Sequence, residues 1–191
     1  PDCVEEVHRS LHPPRADAAL AEPPPELPAG RAIAALDRDA CLALLEAHGV
    51  GFRTIDDAEA AGVPIPIRLE GPVGGVEVSA RGHAPLHEIL DCRLAVALLA
   101  WAPRLRAAGV RAVRHYSIYR PGARVAGSGR VSGHAKGLAL DLAILEREDG
   151  EPVDVLHGWE VRERGREPCD ETIDEGEASA LLRDVVCAAI A

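Results

Sequence analysis

Ser132-Gly133-His134-Ala135-Lys136-Gly137-Leu138-Ala139-Leu140-Asp141 sets an imidazole and a carboxylate seven residues apart. The carboxylate stands inside a run that alternates as a strand does. Alternation sorts Leu138, Leu140, Leu142 and Ile144 onto one face, and Ala139, Asp141, Ala143 and Leu145 onto the other. The first face reads as core. The second holds Asp141 between two alanines, with little bulk around whatever the acid binds. Gly133 and Gly137 predict a sharply turning loop ahead of the strand, with His134 riding on it. An imidazole and a carboxylate at the mouth of a strand supply two of the three protein ligands of a catalytic zinc site, whose remaining place is water's. On spacing alone, such a pair is more often a surface histidine and a turn aspartate.

The whole string says more. Ser-x-His-x-x-Gly-x-Ala-x-Asp, with Tyr119-Arg120 upstream, resembles the zinc D-Ala-D-Ala peptidases of the lysostaphin-like superfamily. More narrowly, the chain resembles the bacterial extensin-like carboxy-terminal domain. That resemblance runs from about Cys41 to the end, through Cys92-Arg93-Leu94-Ala95 to Trp101, and includes Leu181-Leu182-Arg183-Asp184 with Cys187. It implies that His134 and Asp141 bind zinc and that Arg120 holds substrate or transition-state oxygens. It also implies a short bacterial cell-wall peptide, with D-residues, as substrate. The implied fold is α+β: a small antiparallel sheet with helices on one side and a metal cleft on the other, as in the D-Ala-D-Ala metallopeptidases.

The same resemblance exposes a gap. Those peptidases and the extensin-like domain finish with a His-x-His pair on a last strand, past the helix that here ends at Ala191. No histidine follows His157, so the expectation is that this strand is missing and the site lacks its third ligand and its general base. A two-residue turn at Asp149-Gly150 would pair position 142 with His157, on the face opposite Asp141, so His157 completes the site only through a bulge or a longer loop. Two rival functions stand beside the hydrolase: a non-catalytic module that binds cell-wall or glycan material, and a structural extracellular domain.

Composition narrows the class. The chain has 191 residues, 47% of them apolar, enough for one domain with a core and some tail. A formal charge of −10 argues against a nucleic-acid partner. No uncharged apolar run reaches membrane-spanning length. The chain opens Pro1-Asp2-Cys3, with neither a signal-peptide pattern nor a starting Met, and so reads as a mature or trimmed form. Five cysteines are compatible with export, and the expected location is secreted, periplasmic or in the cell envelope. Cys41 and Cys92 read either as buried thiols or as bonded. The extensin-like pattern carries cysteines near Gly62 and Ile118; their absence here leaves Cys41 and Cys92 to bond each other. Cys169 and Cys187 are expected to bond, tying a charged loop to the closing helix. Cys3 is left over.

Residues 1–30, with Pro13-Pro14, Pro23-Pro24-Pro25 and Pro28, read as an extended lead-in or linker before a domain at 31–191. Asp37 is expected to cap a helix over 38–48 that Gly49 ends. Residues 63–69, broken by Pro64 and Pro66, read as an edge strand or an irregular segment, and 74–79 as a short strand. His83 and His87 have a zinc-like spacing, but Pro85 between them favours a loop. A largely buried helix is expected over 86–107, kinked at Pro103. A strand over 110–120 then delivers Tyr119-Arg120 at its tip. The glycine-rich residues 122–133 suit the rim of a cleft. A hairpin at 148–151 leads to a strand returning over 152–159. Residues 160–176 are charged and irregular, and 177–190 form the closing helix.

Overall fold

The computed structural model describes residues 23–82, 85–160, 169 and 176–190. In chain order it forms α1 (Arg31–Ala34), α2 (Arg38–Ala47), β1 (Phe52–Thr54), β2 (Pro66–Leu69), β3 (Glu77–Ala80) and β4 (Leu90–Asp91). There follow α3 (Cys92–Ala107), β5 (Val110–His115), β6 (Leu142–Arg147), β7 (Val153–Asp154), α4 (Val155–Gly158) and α5 (Glu177–Ile190). The class is α+β, as expected. The sheet is not one antiparallel unit, however. Three antiparallel strands run in the order β1-β2-β4, and a separate mixed sheet runs β3-β5-β6-β7, with β3 parallel to β5.

Helix α3 joins the two sheets. Its first turns (Cys92, Ala95, Val96, Leu99) pack with Cys41 and Leu45 of α2 and with Ile67 and Leu90. Its last turns (Ala102, Leu105) pack with Val113, Leu145, Leu182 and Val185. Trp101 belongs to both groups and donates its indole N–H to the Val185 carbonyl at 2.8 Å. Two disulfides staple this frame. Cys41–Cys92 joins α2 to α3, and Cys169–Cys187 ties the chain ahead of α5 to that helix. Cys3 lies outside the described residues, as do residues 1–22 of the lead-in. The last part of the lead-in touches the domain: Leu27 packs against the core, and the Pro25 carbonyl meets His48 Nε2 at 2.8 Å.

Local signals place several elements as expected. The Asp37 carboxylate accepts from Ala40 N and starts α2, and Gly49, at φ 67°, follows its end. Helix α5 spans the expected residues. Other expectations fail, for reasons that lie in long-range contacts. The segment holding Pro66 is the central strand β2, not an edge: Pro66 is its first residue, where a missing N–H costs least. The helix expected from 86 starts only at Cys92. Pro85–Glu88 form a 3₁₀ turn that includes His87, Leu90 and Asp91 pair with β2, and Asp91 then caps α3. His83 lies outside the described residues. Pro103 sits within α3, which continues through it. Strand β5 stops at His115, so Tyr119 and Arg120 follow it in an irregular stretch.

The strand after the opening motif begins at Leu142 rather than before Asp141, and its faces are not those the alternation predicts. Leu142 faces His115 and Ile144 faces Arg114, so Ala143 is an extra residue that bulges the ladder. Leu140 packs inward. Beyond the bulge the parity flips, and Ala143 and Leu145 become the fully buried pair, while Leu138 is exposed. The returning strand is also shorter than expected. Leu145 faces Val153 and Ile144 faces Asp154, then Asp154 caps α4 by accepting from His157 N at 3.1 Å. His157 therefore sits in a short helix beside Asp154, with Nδ1 3.0 Å from its carboxylate, and does not reach position 142 along a strand.

Candidate functional site

The chain after β5 and the chain before β6 hold each other by backbone bonds. Tyr116 N donates to Asp141 O at 2.8 Å, Asp141 N to Ser117 O at 3.0 Å, and Arg120 N to His134 O at 3.0 Å. His134 rides on a 3₁₀ turn (Gly133–Lys136) that Ser132 caps by accepting from His134 N. Gly137 closes that turn at φ 64°. Its carbonyl accepts from Asp91 N at 3.0 Å, and a Cβ there would stand 2.8 Å from the same nitrogen. Only glycine lets the loop lie this close to β4.

This scaffold brings Arg120, His134 and Asp141 together. His134 Nε2 lies 3.0 Å from Asp141 Oδ1, and an Arg120 guanidinium nitrogen lies 3.4 Å from Asp141 Oδ2. The histidine is buried, with 7% of its surface exposed, whereas the Asp141 and Arg120 side chains are 41% and 48% exposed. The imidazole thus comes from the protein side, and the carboxylate and guanidinium open to water.

The protonation pattern follows from the partners. The Ile118 carbonyl, 2.8 Å from His134 Nδ1, can only accept, so Nδ1 carries the proton. In the neutral ring Nε2 then presents a lone pair. It faces a carboxylate oxygen, which also can only accept. Two acceptors at hydrogen-bond distance call for a cation between them, either a second ring proton or a metal ion.

Three supporting groups were not legible in the sequence. Ser117, buried, donates Oγ–H to Asp141 Oδ2 at 3.1 Å and orients the carboxylate. The Ile118 carbonyl sets the tautomer of His134; no side-chain pattern signals a backbone group. Asp91 is fully buried and accepts from Ile65 N at 3.1 Å, Arg93 N at 3.0 Å, Arg93 Nε at 2.7 Å and a second Arg93 nitrogen at 2.9 Å. It couples β2, the start of α3 and the His134 loop. Tyr119 anchors the irregular stretch. Its ring packs with Ile55, Ala60, Val63 and Ile89, its hydroxyl donates to Ala61 O at 2.9 Å, and burial raises its pKa.

Residues 123–132 form a small hairpin beside the site, with Ser132 N bonded to Ala123 O and Val125 N to Arg130 O. Val125 and Val131 on it are exposed, as are Tyr116 and Leu138. The glycine-rich rim is therefore a folded-back ribbon.

The family described as extensin-like protein C-terminus matches residues 39–176, well over half of the chain. The chain belongs to that family. No curated protein and no solved structure is significantly similar to it. The matched span of this extensin-like domain contains Arg120, His134 and Asp141, together with Ser117 and Asp91 that support them. Among its described residues, no three His, Cys, Asp or Glu side chains are grouped so as to hold a metal ion, and no helix is long and apolar enough to cross a membrane.

Proposed function

We propose that this extensin-like domain is the core of a zinc-dependent peptidase-like hydrolase acting on peptides of the bacterial cell wall. His134 and Asp141 would be metal ligands, and Arg120 the stabiliser of charge on substrate. The observation that supports this reading most is the meeting of His134 Nε2 and Asp141 Oδ1, two acceptors 3.0 Å apart. An imidazole nitrogen and a carboxylate oxygen suit zinc. Second-sphere partners of the kind metal ligands carry are also present: the Ile118 carbonyl on the histidine and Ser117 on the carboxylate. The resemblance to D-Ala-D-Ala peptidases supplies the substrate class, and the two disulfides suit a setting in the cell envelope or outside the cell.

When bound, the metal would polarise the scissile carbonyl and acidify a water towards a pKa of about 7. The chain's own residues do the positioning. Ile118 O holds a ring proton on Nδ1 of His134, which leaves Nε2 as the nitrogen turned towards the metal, and Ser117 fixes the rotation of Asp141. Arg120 is tethered through its backbone N–H to His134 O, and its half-exposed guanidinium offers a fork of donors to a carboxylate or an oxyanion. A third ligand would come, as in the peptidases this chain resembles, from a His-x-His pair on a further strand.

Zinc titration tests this reading, with the 191-residue chain compared against one extended by a His-x-His strand. The short form is expected to bind weakly, and the extended form tightly and with hydrolysis of peptides ending in D-alanine. Arg120→Lys in the extended form should retain zinc and lose turnover. Peptide binding without zinc or hydrolysis in either form would overturn the reading in favour of a binding module. Tight zinc in the short form, abolished by His157→Ala, would overturn the account of the third ligand.

A further inference from the structure

Acidic and basic residues are unevenly placed along this chain. Residues 92–140 hold nine of its 21 Lys and Arg and none of its 31 Asp and Glu, although the formal charge of the whole is −10. The part of that run nearest the site carries Arg120, Arg124, Arg130 and Lys136. Arg120 already lies 3.4 Å from Asp141. The other three are exposed, and among the described residues none of them has a carboxylate within ion-pair distance. Arg124 gives one guanidinium nitrogen to a neutral partner, Gly129 O, at 2.8 Å. The loop at 56–62 also approaches the His134 turn, since a Cβ on Gly62 would lie 3.2 Å from Ala135 O. Its acids are engaged elsewhere: Asp56 accepts from Ala58 N at 2.8 Å, Asp57 lies 3.8 Å from Arg38, and Glu59 lies 3.5 Å from Arg68.

Backbone pairing fixes where these charges stand. Arg124 pairs with Val131 across the ribbon, and Val125 N donates to Arg130 O at 2.8 Å. Side chains alternate between the faces of such a pair, so Arg124 shares one face with Val131, and Arg130 shares the other with Val125. This second face runs on to Ala123 and Ser132, and Ser132 caps the His134 turn. Lys136, the only lysine of the chain, stands two residues beyond His134 on that turn and is followed by the exposed Leu138. The chemistry of the partner follows. A guanidinium fork suits a carboxylate, and the exposed Val125 and Leu138 suit aliphatic side chains. No Phe, Tyr or Trp lies between Arg120 and Asp141 to stack a nucleobase or a sugar ring. At physiological salt a charge acts over about 8 Å. A short acidic ligand on the ribbon therefore feels chiefly these cations, whereas a long polyanion would run on over an acidic protein and be repelled.

We propose that the Ser132 face of the ribbon and the His134 turn form a docking surface for a short acidic peptide. One side-chain carboxylate accepts from Arg130 and another from Lys136, and the aliphatic groups of the peptide lie on Val125 and Leu138. Arg124, on the opposite face, adds only to the local field. Arg130 and Lys136 are thus specificity residues, which favour peptides that carry acid groups beside the reaction centre. The inference rests on the hydrolase reading for what Arg120, His134 and Asp141 do to the docked peptide.

Calorimetric titration of the zinc-free chain tests the proposal, with the acetylated and amidated peptide Ala-Glu-Ala-Glu set against its neutral counterpart Ala-Gln-Ala-Gln. Because Lys136 is the only lysine, limited acetylation followed by mass spectrometry reads that one side-chain amine. The acidic peptide is expected to bind at least about 5-fold more tightly than the neutral one, to lose that margin at high salt, and to slow acetylation of Lys136. Arg130→Gln should weaken it about 2–5-fold, with an unchanged melting temperature because the side chain is exposed. Arg104→Gln, which removes the same charge from an exposed position in the last turn of α3, should not. The proposal is overturned by equal affinity for the two peptides, by binding of neither, by a Lys136 that stays as reactive as before, or by equal losses in Arg130→Gln and Arg104→Gln. An oligonucleotide or polygalacturonate that binds as tightly as the acidic peptide also overturns it, in favour of a general polyanion surface. None of these readouts needs zinc or turnover. Failure of the extended chain to bind zinc would sink the hydrolase reading and leave peptide docking intact; hydrolysis of neutral and acidic peptides alike would do the reverse.

Discussion

His134 and His115 are nearly equally buried, at 7% and 1% exposure, yet they differ in what meets their rings. Both nitrogens of His134 have partners, Ile118 O on one side and Asp141 on the other. His115 sits at the end of β5 with Nδ1 unpartnered among the described residues, on the wall of a cavity. Burial excludes water from each ring, but the partners decide its chemistry. His134 is held in one tautomer and aimed at a carboxylate, a pattern suited to binding a cation. His115 is kept neutral mainly by desolvation, with one ring nitrogen sealed away from water and without a partner among the described residues.

The largest expected effect comes from removing the buried Asp91 carboxylate. Asp91→Ala would leave Arg93 without its carboxylate and Ile65 N without an acceptor, and should lower unfolding free energy by about 3 kcal/mol in urea titration. Because Asp91 N–H, which is retained, holds Gly137, the loss should appear in stability rather than in local collapse of the site. A variant as stable as wild type would show that Asp91 is no node of the fold.

Next comes the orientation of the Asp141 carboxylate, the proposed zinc ligand. Ser117→Ala should weaken zinc binding to the extended chain by about 10–100-fold, as losses of second-sphere partners do, with little change in melting temperature. An unchanged zinc affinity would separate Ser117 from the site.

His115 predicts a distinct acid response. Its folded pKa of about 4 lies below its ordinary 6.5, so as pH falls the unfolded chain takes the proton first. The stability contribution is complete above pH 6.5 and is lost as pH falls from 6.5 to 4. Glu146 acts in a lower window. Its pKa is held below 4.5 by its hydrogen bond to Arg114, so its contribution is lost only below that value. Urea midpoints measured between pH 7 and 4 should therefore decline in wild type and flatten in His115→Gln; parallel curves would contradict a buried neutral ring.

The smallest effect is expected at Tyr119. Tyr119→Phe keeps the ring among Ile55, Val63 and Ile89 but leaves Ala61 O without its donor, which should cost about 1 kcal/mol. Zinc affinity should stay within a factor of two or so, since the ring and not the hydroxyl anchors the backbone that carries Arg120. A larger loss of zinc than of stability would mean that the hydroxyl positions Arg120.

Much of this protein is determined by short-range signals that sequence carries directly. Asp37 and Gly49 bound α2 because a cap and a left-handed residue act within one turn. The repeating apolar residues of α5 set its limits in the same way. Gly133 and Gly137 around His134 mark a tight loop, and the family resemblance of that string and of Tyr119-Arg120 singles out the three side chains that the fold brings together. Tertiary structure decided the rest, because those choices depend on partners far along the chain. Alternation could not reveal that Ala143 is an extra residue, since a bulge exists only relative to β5. That one residue reverses which side chains after Asp141 are buried. Pro66 reads locally as an edge residue and is central, because β4 and β1 pair on either side of it. Asp91 falls inside the helix expected from 86, and only the fold makes it a partner of β2, the cap of α3 and the acceptor of Ile65 N, 26 residues earlier. The groups that hold the site, Ser117 and the Ile118 carbonyl, act only because two irregular stretches meet. Local energy selects caps, turns and periodicity; only packing across the chain decides which polar groups acquire partners and which, like His115 Nδ1, do not.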